Sequence, residues 1–269
     1  MKKMNKLLLS EEGIFPVTKD IEGNLLDTNP ETGFSFSGTI QGEGKLAGVP
    51  SLFIRLAKCN LRCIWKLPDG KICQCDTSSI FKVGKNKQIR IEEAIKIIKQ
   101  NLGSIKHIVI TGGEPLLQNK PLALLTEALK SETGAHLTLE TNGTLFDENV
   151  ARNIDLFSIS PKLKNSKNDD RKRLNIEVLQ SFIDFANKFN KEIQFKFVIA
   201  SISEEYEIKN DYLAHLRNFK ISDIMIMPLG ATVNELEQTS IIAFEMAVKN
   251  GWRFSPRLQI NLFNNKSGV

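Results

Sequence analysis

Four cysteines confined to seventeen consecutive positions, Cys59, Cys63, Cys73 and Cys75, carry the clearest chemical meaning in this chain. Disulfides that staple a fold are spread along it and belong to oxidising compartments. Clustered thiols point instead to ligation of a metal or an iron–sulfur cluster, or to redox chemistry. Thiolates are soft ligands that suit iron as well as zinc. A structural zinc site using all four thiolates is the competing reading. Such sites favour two short paired spacings, and the Cys73-x-Cys75 pair is unusual for one.

Elements that could position these thiols follow from the apolar periodicity. Ser51 to Ala57 reads as a strand, with Leu52, Ile54 and Leu56 on one face and Phe53 and Arg55 on the other. Phe36 to Gln41 is a shorter extended segment. Further strands are expected at 107–111, 136–140, 155–159, 193–200, 223–227 and 252–263, separated by helices at 91–102, 121–130, 148–153, 179–186, 204–217 and 234–249. Asn119 is a candidate helix cap. Alternating strands and helices give an α/β fold with a parallel sheet, which periodicity leaves open between a partial barrel and a doubly wound sheet. Both place ligands at the carboxyl ends of the strands. The residues that break the apolar pattern sit there: KCNLRC after the strand at 51–57, GGEP after 107–111, TNGT after 136–140 and SPK after 155–159.

Taken in order, TIQGEG, FIR, CNLRC, CDT, TGGEP, ETNGT and SPK resemble the 7-carboxy-7-deazaguanine synthase family of radical S-adenosylmethionine (SAM) enzymes, over roughly residues 38 to 162. The resemblance implies a partial (β/α)6 barrel, a [4Fe-4S] cluster, SAM and Mg²⁺. It also implies a 6-carboxy-5,6,7,8-tetrahydropterin substrate, which loses ammonia to give the deazaguanine of the queuosine pathway. Hydrogen abstraction from the carbon bearing the carboxylate, ring contraction and hydrogen return are the expected steps. Cys59 and Cys63 match two cluster ligands. The family spacing is C-x3-C-x2-C followed by Asp-Thr, whereas eleven residues here separate Cys63 from Cys75. Residues i and i+2 of an extended segment face the same way, so geometry leaves Cys73 open as the third ligand. Cys75 is preferred because Asp76-Thr77 follows it, and Pro68-Asp69-Gly70 in the insertion signals a turn.

By the same resemblance Gly112, Gly113, Glu114, Asn142, Ser160, Pro161 and Lys162 surround SAM. Ile40, Gln41, Gly42, Arg55 and Thr111 meet the substrate, and the Thr77 hydroxyl binds Mg²⁺. A guanidinium is the natural bidentate partner of a carboxylate, although Arg55 taken alone also suits a salt bridge within the sheet. Glu43 receives no role. A flavodoxin- or ferredoxin-like electron donor and a homodimer complete what the resemblance implies. Its nearest rival is a glycyl-radical-activating type of radical SAM enzyme, which uses CNLRC-like segments but explains neither TIQGEG nor CDT.

Composition sets outer limits. The 269 residues are 41% hydrophobic and 25% charged, an ordinary globular balance. One domain over 36–269 is expected, preceded by an extension at 1–35 that shows little pattern. The net charge of +5 is small for this length and does not by itself call for nucleic acid. The densest charge run, Lys162 to Arg173, reads as a solvated loop. No uncharged apolar run approaches the roughly 20 residues that cross a bilayer. MKKMNKLLLSEEG opens like a signal peptide, but its apolar stretch ends at Leu9 and no cleavage site follows, so a cytoplasmic setting is expected.

Overall fold

Strand after strand joins the sheet in chain order, which decides between the two architectures left open by periodicity. The computed structural model describes residues 5–75 and 86–269. β1 (Lys6–Phe15), β2 (Thr39–Ile40) and β3 (Pro50–Leu56) precede a small hairpin of β4 (Ile64–Lys66) and β5 (Ile72–Gln74). Then come β6 (Lys87–Arg90), α1 (Ile91–Leu102), β7 (His107–Gly112), α2 (Asn119–Thr133), β8 (His136–Thr141), α3 (Glu148–Ala151) and β9 (Leu156–Ile159). The chain continues through α4 (Asp170–Arg173), α5 (Ile176–Phe189), β10 (Glu192–Ile199), α6 (Glu204–Glu207), β11 (Ile224–Pro228), α7 (Val233–Asn250), β12 (Arg253–Phe254) and α8 (Leu258–Phe263). The main sheet runs β12-β11-β10-β9-β8-β7-β3-β1-β6, with β2 on β3. From β3 to β12 every neighbouring pair is parallel. That order never reverses, so there is no switch point as in a doubly wound sheet. Crossovers of one hand then stack the helices on one side, and the result is the partial barrel.

Strict alternation sorts the side chains. Leu52, Ile54, Ile108, Ile110, Leu137, Leu139, Phe157, Phe195, Phe197 and Ile226 bury against the helices in the main core. Their neighbours point the other way, and the register aligns Arg55 with Thr111 and Glu140 with Ser158. The inner face is therefore a polar row. One step deeper, the His107 ring bridges Ser51 Oγ and Thr138 Oγ1, each at 2.7 Å.

Several sequence expectations need correction. The first 35 residues hold β1, an internal strand between β3 and β6. A register shift between Leu9 and Ile14 breaks its period-two pattern, which hid it. Of the strand expected at 252–263 only Arg253 and Phe254 are extended. Leu258–Phe263 is helical and turns only Ile260 into the core. Asn119 opens α2 instead of capping it, its amide turned to Asp147 at 2.7 Å. The helix expected over 204–217 is α6, then a wide π turn at Ile208–Tyr212 and a tight turn at Leu213–His215.

The run Lys162–Arg173 is solvated only in part: Lys164, Lys167, Asp169, Asp170, Arg171 and Lys172 are exposed, but its end is not. Arg173 is 1% exposed, paired with Glu207 at 2.7 Å and bonded to Tyr212 Oη and the Lys162 carbonyl at 3.0 and 2.8 Å. Its charge is met by partners distant in sequence, which a local count of charges does not see. No helix among the described residues is long and apolar enough to cross a membrane.

Candidate active site

β3 ends by turning over the next strand. Lys58 adopts a positive φ of 73°, and Gly113 and Glu114 donate backbone N–H bonds to the carbonyls of Leu56 and Lys58. Gly112 lies so close to β3 that a Cβ there would stand 2.2 Å from the Leu56 oxygen. Only glycine permits this approach. The turn leaves Gly112 and Gly113 as part of the wall of a pocket at the carboxyl ends of the strands.

Cys59, Cys63 and Cys75 line that pocket, together with Asn142, Ser160 and Lys162. The hairpin explains how the long insertion still delivers a third thiol. Its register pairs Ile64 with Gln74, Trp65 with Cys73 and Lys66 with Ile72. Cys63 and Cys75 each lie one residue beyond the last of these pairs, at the open end of the hairpin. Gly70, at φ 85°, makes the turn anticipated at Pro68-Asp69-Gly70, bonding to the Leu67 carbonyl at 2.9 Å. Cys73 also borders the pocket, but it is 5% exposed and packs with Trp65, Leu67, Ala200 and Leu229.

Donors converge on the sulfurs. Leu61 N–H points at Cys59 Sγ at 3.4 Å, and the Asn142 amide stands 3.8 Å from the same atom. Burial pushes the Cys59 thiol upward in pKa, against the opposing Leu61 bond. Among the described residues no three His, Cys, Asp or Glu side chains converge on one metal-ion point. A polynuclear cluster asks for thiolates arranged around it, with N–H groups on the sulfurs, and the residues present fit such a group.

Glu114 and Pro161 are not on the pocket wall. The Glu114 carboxylate is wholly buried beneath it, accepting from Thr141 Oγ1 at 2.9 Å, Asn142 N at 2.8 Å and Leu116 N at 3.1 Å. Burial outweighs these bonds and pushes its pKa up to about 7. The strand-end loops are tied to the cysteine loop through Asn60, which accepts from the Asn142 amide at 2.9 Å and donates to Thr144 Oγ1 at 2.7 Å. Lys162 Nζ donates to Ser160 Oγ at 2.8 Å. Thr77 lies outside the described residues.

Deeper in the barrel, Ile40, Gln41, Gly42, Arg55 and Thr111 line the same pocket. Gly42 is pressed onto the carboxyl-terminal segment: its carbonyl accepts from Leu258 N at 3.0 Å, and a Cβ would collide with Gln259. Arg55 lies 5.2 Å from the Phe15 ring centroid, and its buried Nε has no hydrogen-bond partner. No salt bridge within the sheet claims it among the described residues.

Sequence reading missed the charged centre of the pocket. Glu43 receives Lys196 Nζ at 2.8 Å, Arg257 Nε at 3.0 Å and Gln259 Nε2 at 2.8 Å. Lys196 also meets Glu140 at 3.3 Å, and Glu140 accepts from Thr111 Oγ1 at 2.8 Å and Gln41 Nε2 at 3.2 Å. Burial pushes the Glu43 carboxyl upward, but Lys196 and Arg257 together hold it well below the carboxylate range. Burial likewise works against the Lys196 charge, and Glu140 and Glu43 more than restore it. The available signal was a lone lysine in the apolar strand EIQFKFVI, at a position facing inward.

The Radical SAM superfamily model matches residues 54–240. The 7-carboxy-7-deazaguanine synthase of Halobacterium salinarum is 32% identical over 247 residues, covering 84% of this chain and 88% of its own. That of Hyperthermus butylicus is 35% identical over 232 residues, covering 82% and 88%. Among solved structures, the crystal structure of QueE from Escherichia coli superimposes with a TM-score of 0.57 over 93% of both chains at 23% identity, a likeness of fold.

Proposed function

Because the chain belongs to the radical SAM superfamily and, within it, to the 7-carboxy-7-deazaguanine synthase family, we propose that its pocket converts 6-carboxy-5,6,7,8-tetrahydropterin to 7-carboxy-7-deazaguanine with release of ammonia. A bound [4Fe-4S] cluster and SAM supply the radical that takes a hydrogen from the substrate. Cys59, Cys63 and Cys75 would hold the cluster. Gly112, Gly113, Asn142, Ser160 and Lys162 would hold SAM. Glu114 works from below, fixing Thr141 and the Asn142 backbone, with Pro161 stiffening the opposite loop. Thr77 is the proposed Mg²⁺ ligand.

One observation carries the substrate assignment: the buried Arg55 Nε, which has no hydrogen-bond partner, in the same pocket as the cysteine loop. Desolvated donors left unmade are costly, and a substrate carboxylate satisfies this one. Gln41 and Thr111 are held by Glu140, and Glu43 is neutralised by Lys196 and Arg257, so the polar row is rigid before any ligand arrives. Such positioning suits radical chemistry, in which an unselective abstraction must be confined to one C–H bond. The same reading gives the enzyme a flavodoxin- or ferredoxin-like electron donor, a cytoplasmic setting and a dimeric state.

Anaerobically reconstituted enzyme given SAM, a reductant, Mg²⁺ and the carboxytetrahydropterin should release the deazaguanine. Formation of 5′-deoxyadenosine without the deazaguanine would assign the pocket to another substrate.

A further inference from the structure

The charge run after SPK folds back onto the cysteine loop, and Asn168 is where they meet. Its amide Nδ2 donates to Cys63 Sγ at 3.2 Å, and its Oδ1 accepts from Arg62 N at 2.9 Å. The same Nδ2 touches the Ser166 carbonyl and hydroxyl at 3.2 and 3.1 Å, and Ser166 is fully buried. Lys167, left-handed at φ 60°, turns the chain so that Asn168 faces back. The base of this loop is anchored twice. Lys164 N donates to Glu207 at 3.0 Å, and the Lys162 carbonyl accepts from both Arg173 and Tyr212 Oη at 2.8 Å.

A side chain held this firmly against a ligand sulfur does more than fill space. We infer that Asn168 is a positioning residue that sets the reduction potential of the cluster through an N–H···S bond to Cys63, an inference that rests on Cys63 being a cluster ligand. Reduction adds an electron that is shared with the sulfurs. A donor on a sulfur stabilises the reduced state more than the oxidised one and raises the potential. The carboxamide suits the task because it is neutral at every working pH and serves both Cys63 and the neighbouring Arg62 backbone. None of the motifs matched in sequence includes this residue.

The test is a potentiometric EPR titration of the anaerobic holoenzyme and of Asn168→Leu and Asn168→Asp. Both variants lose the N–H donor, while the aspartate keeps the acceptor for Arg62. Both should retain the four-iron absorption yet titrate at a more negative midpoint. The reduction equilibrium should fall by about three- to tenfold, the upper limit being ~59 mV for one electron. An unchanged midpoint in both overturns the inference. A shift confined to the aspartate, which reports its charge, or to the leucine, which reports the lost dock, overturns it as well.

If neither variant takes up iron, pulsed EPR of the holoenzyme labelled with ¹⁵N-asparagine decides. An amide-nitrogen coupling that survives Asn142→Ala supports the bond, and its absence overturns it. A Cys63→Ser protein with an unaltered cluster would instead remove the ligand assignment, and the inference with it.

Discussion

Glu43 and Lys196 stand 2.8 Å apart across the pocket although 153 residues separate them in the chain. The lysine side chain is 4% exposed and the glutamate 13%. The carboxylate belongs to the loop that opens the site, and the ammonium to a strand on the far side of the barrel. Removing the lysine leaves Glu43 with Arg257 and Gln259 but takes the ammonium from Glu140 as well. Lys196→Met should therefore lower stability by about 1.5–3 kcal/mol in urea melts, as for losing charge-assisted bonds. Adding Glu43→Gln to it should recover part of the loss. A single-variant loss below ~1 kcal/mol would show that the pair is solvated and of little structural weight.

Arg55 makes the opposite prediction. With its Nε unpartnered, its removal should leave stability nearly intact. Arg55→Met should raise KM for the carboxytetrahydropterin by about 10- to 100-fold, as expected for losing a charge-assisted bond of 1.5–3 kcal/mol. Steady-state kinetics beside a thermal melt separate the two effects. An unchanged KM would sink the role given to this guanidinium.

Burial separates the two thiols of the hairpin: Cys73 is buried, whereas Cys75, the ligand preferred from sequence, is half-buried at the open end. Cys75→Ser should lose the four-iron chromophore on reconstitution. Cys73→Ala should retain it and cost about 1–2 kcal/mol of stability, as for a small buried side chain. Iron and sulfide analysis with chemical denaturation reads both. Loss of iron from the Cys73 variant alone would reverse the assignment.

His107 predicts an acid weakness of the fold. Burial, aided by the charge of His136, lowers its pKa from 6.5 to about 4. Below pH 6.5 the unfolded chain takes up a proton that the folded one refuses. Stability is thus fully present above that pH and declines as pH falls toward 4. Between pH 7 and 5 wild type should lose ~2 kcal/mol more than His107→Gln, measured by denaturant melts at each pH. Equal slopes would count against a neutral imidazole between Ser51 and Thr138.

Much of this was visible in residue order alone. Strand ends at Ala57, Thr111, Glu140 and Ile159 carry motifs because backbone geometry concentrates polar and glycine residues there. Caps such as Gly103 and Gly134 mark helix ends by local strain alone. What escaped notice depends on distant partners. β1 is disguised by a bulge. α8 has alternating apolar residues but is drawn into a helix, and Arg257 just before it and Gln259 in its first turn reach Glu43. Lys196 and Glu140 look like ordinary charged residues until the register turns both inward. Arg173 and Asn168 sat in a segment whose charge suggested solvent, and only the folded chain supplies Glu207 and Cys63 to meet them.

The β4–β5 hairpin frees ligand geometry from sequence spacing. Opposed positions in an antiparallel ribbon stay opposed whenever residues are added or removed in matched pairs around the tip, because parity alone decides which side chains face each other. Cys63 and Cys75 can thus remain neighbours while the stretch between them lengthens or shortens by twos. A change of a single residue would bring another side chain opposite Cys63. A rigid count between cysteines is in this protein a property of the ribbon, and evolution can draw that ribbon out without disturbing its mouth.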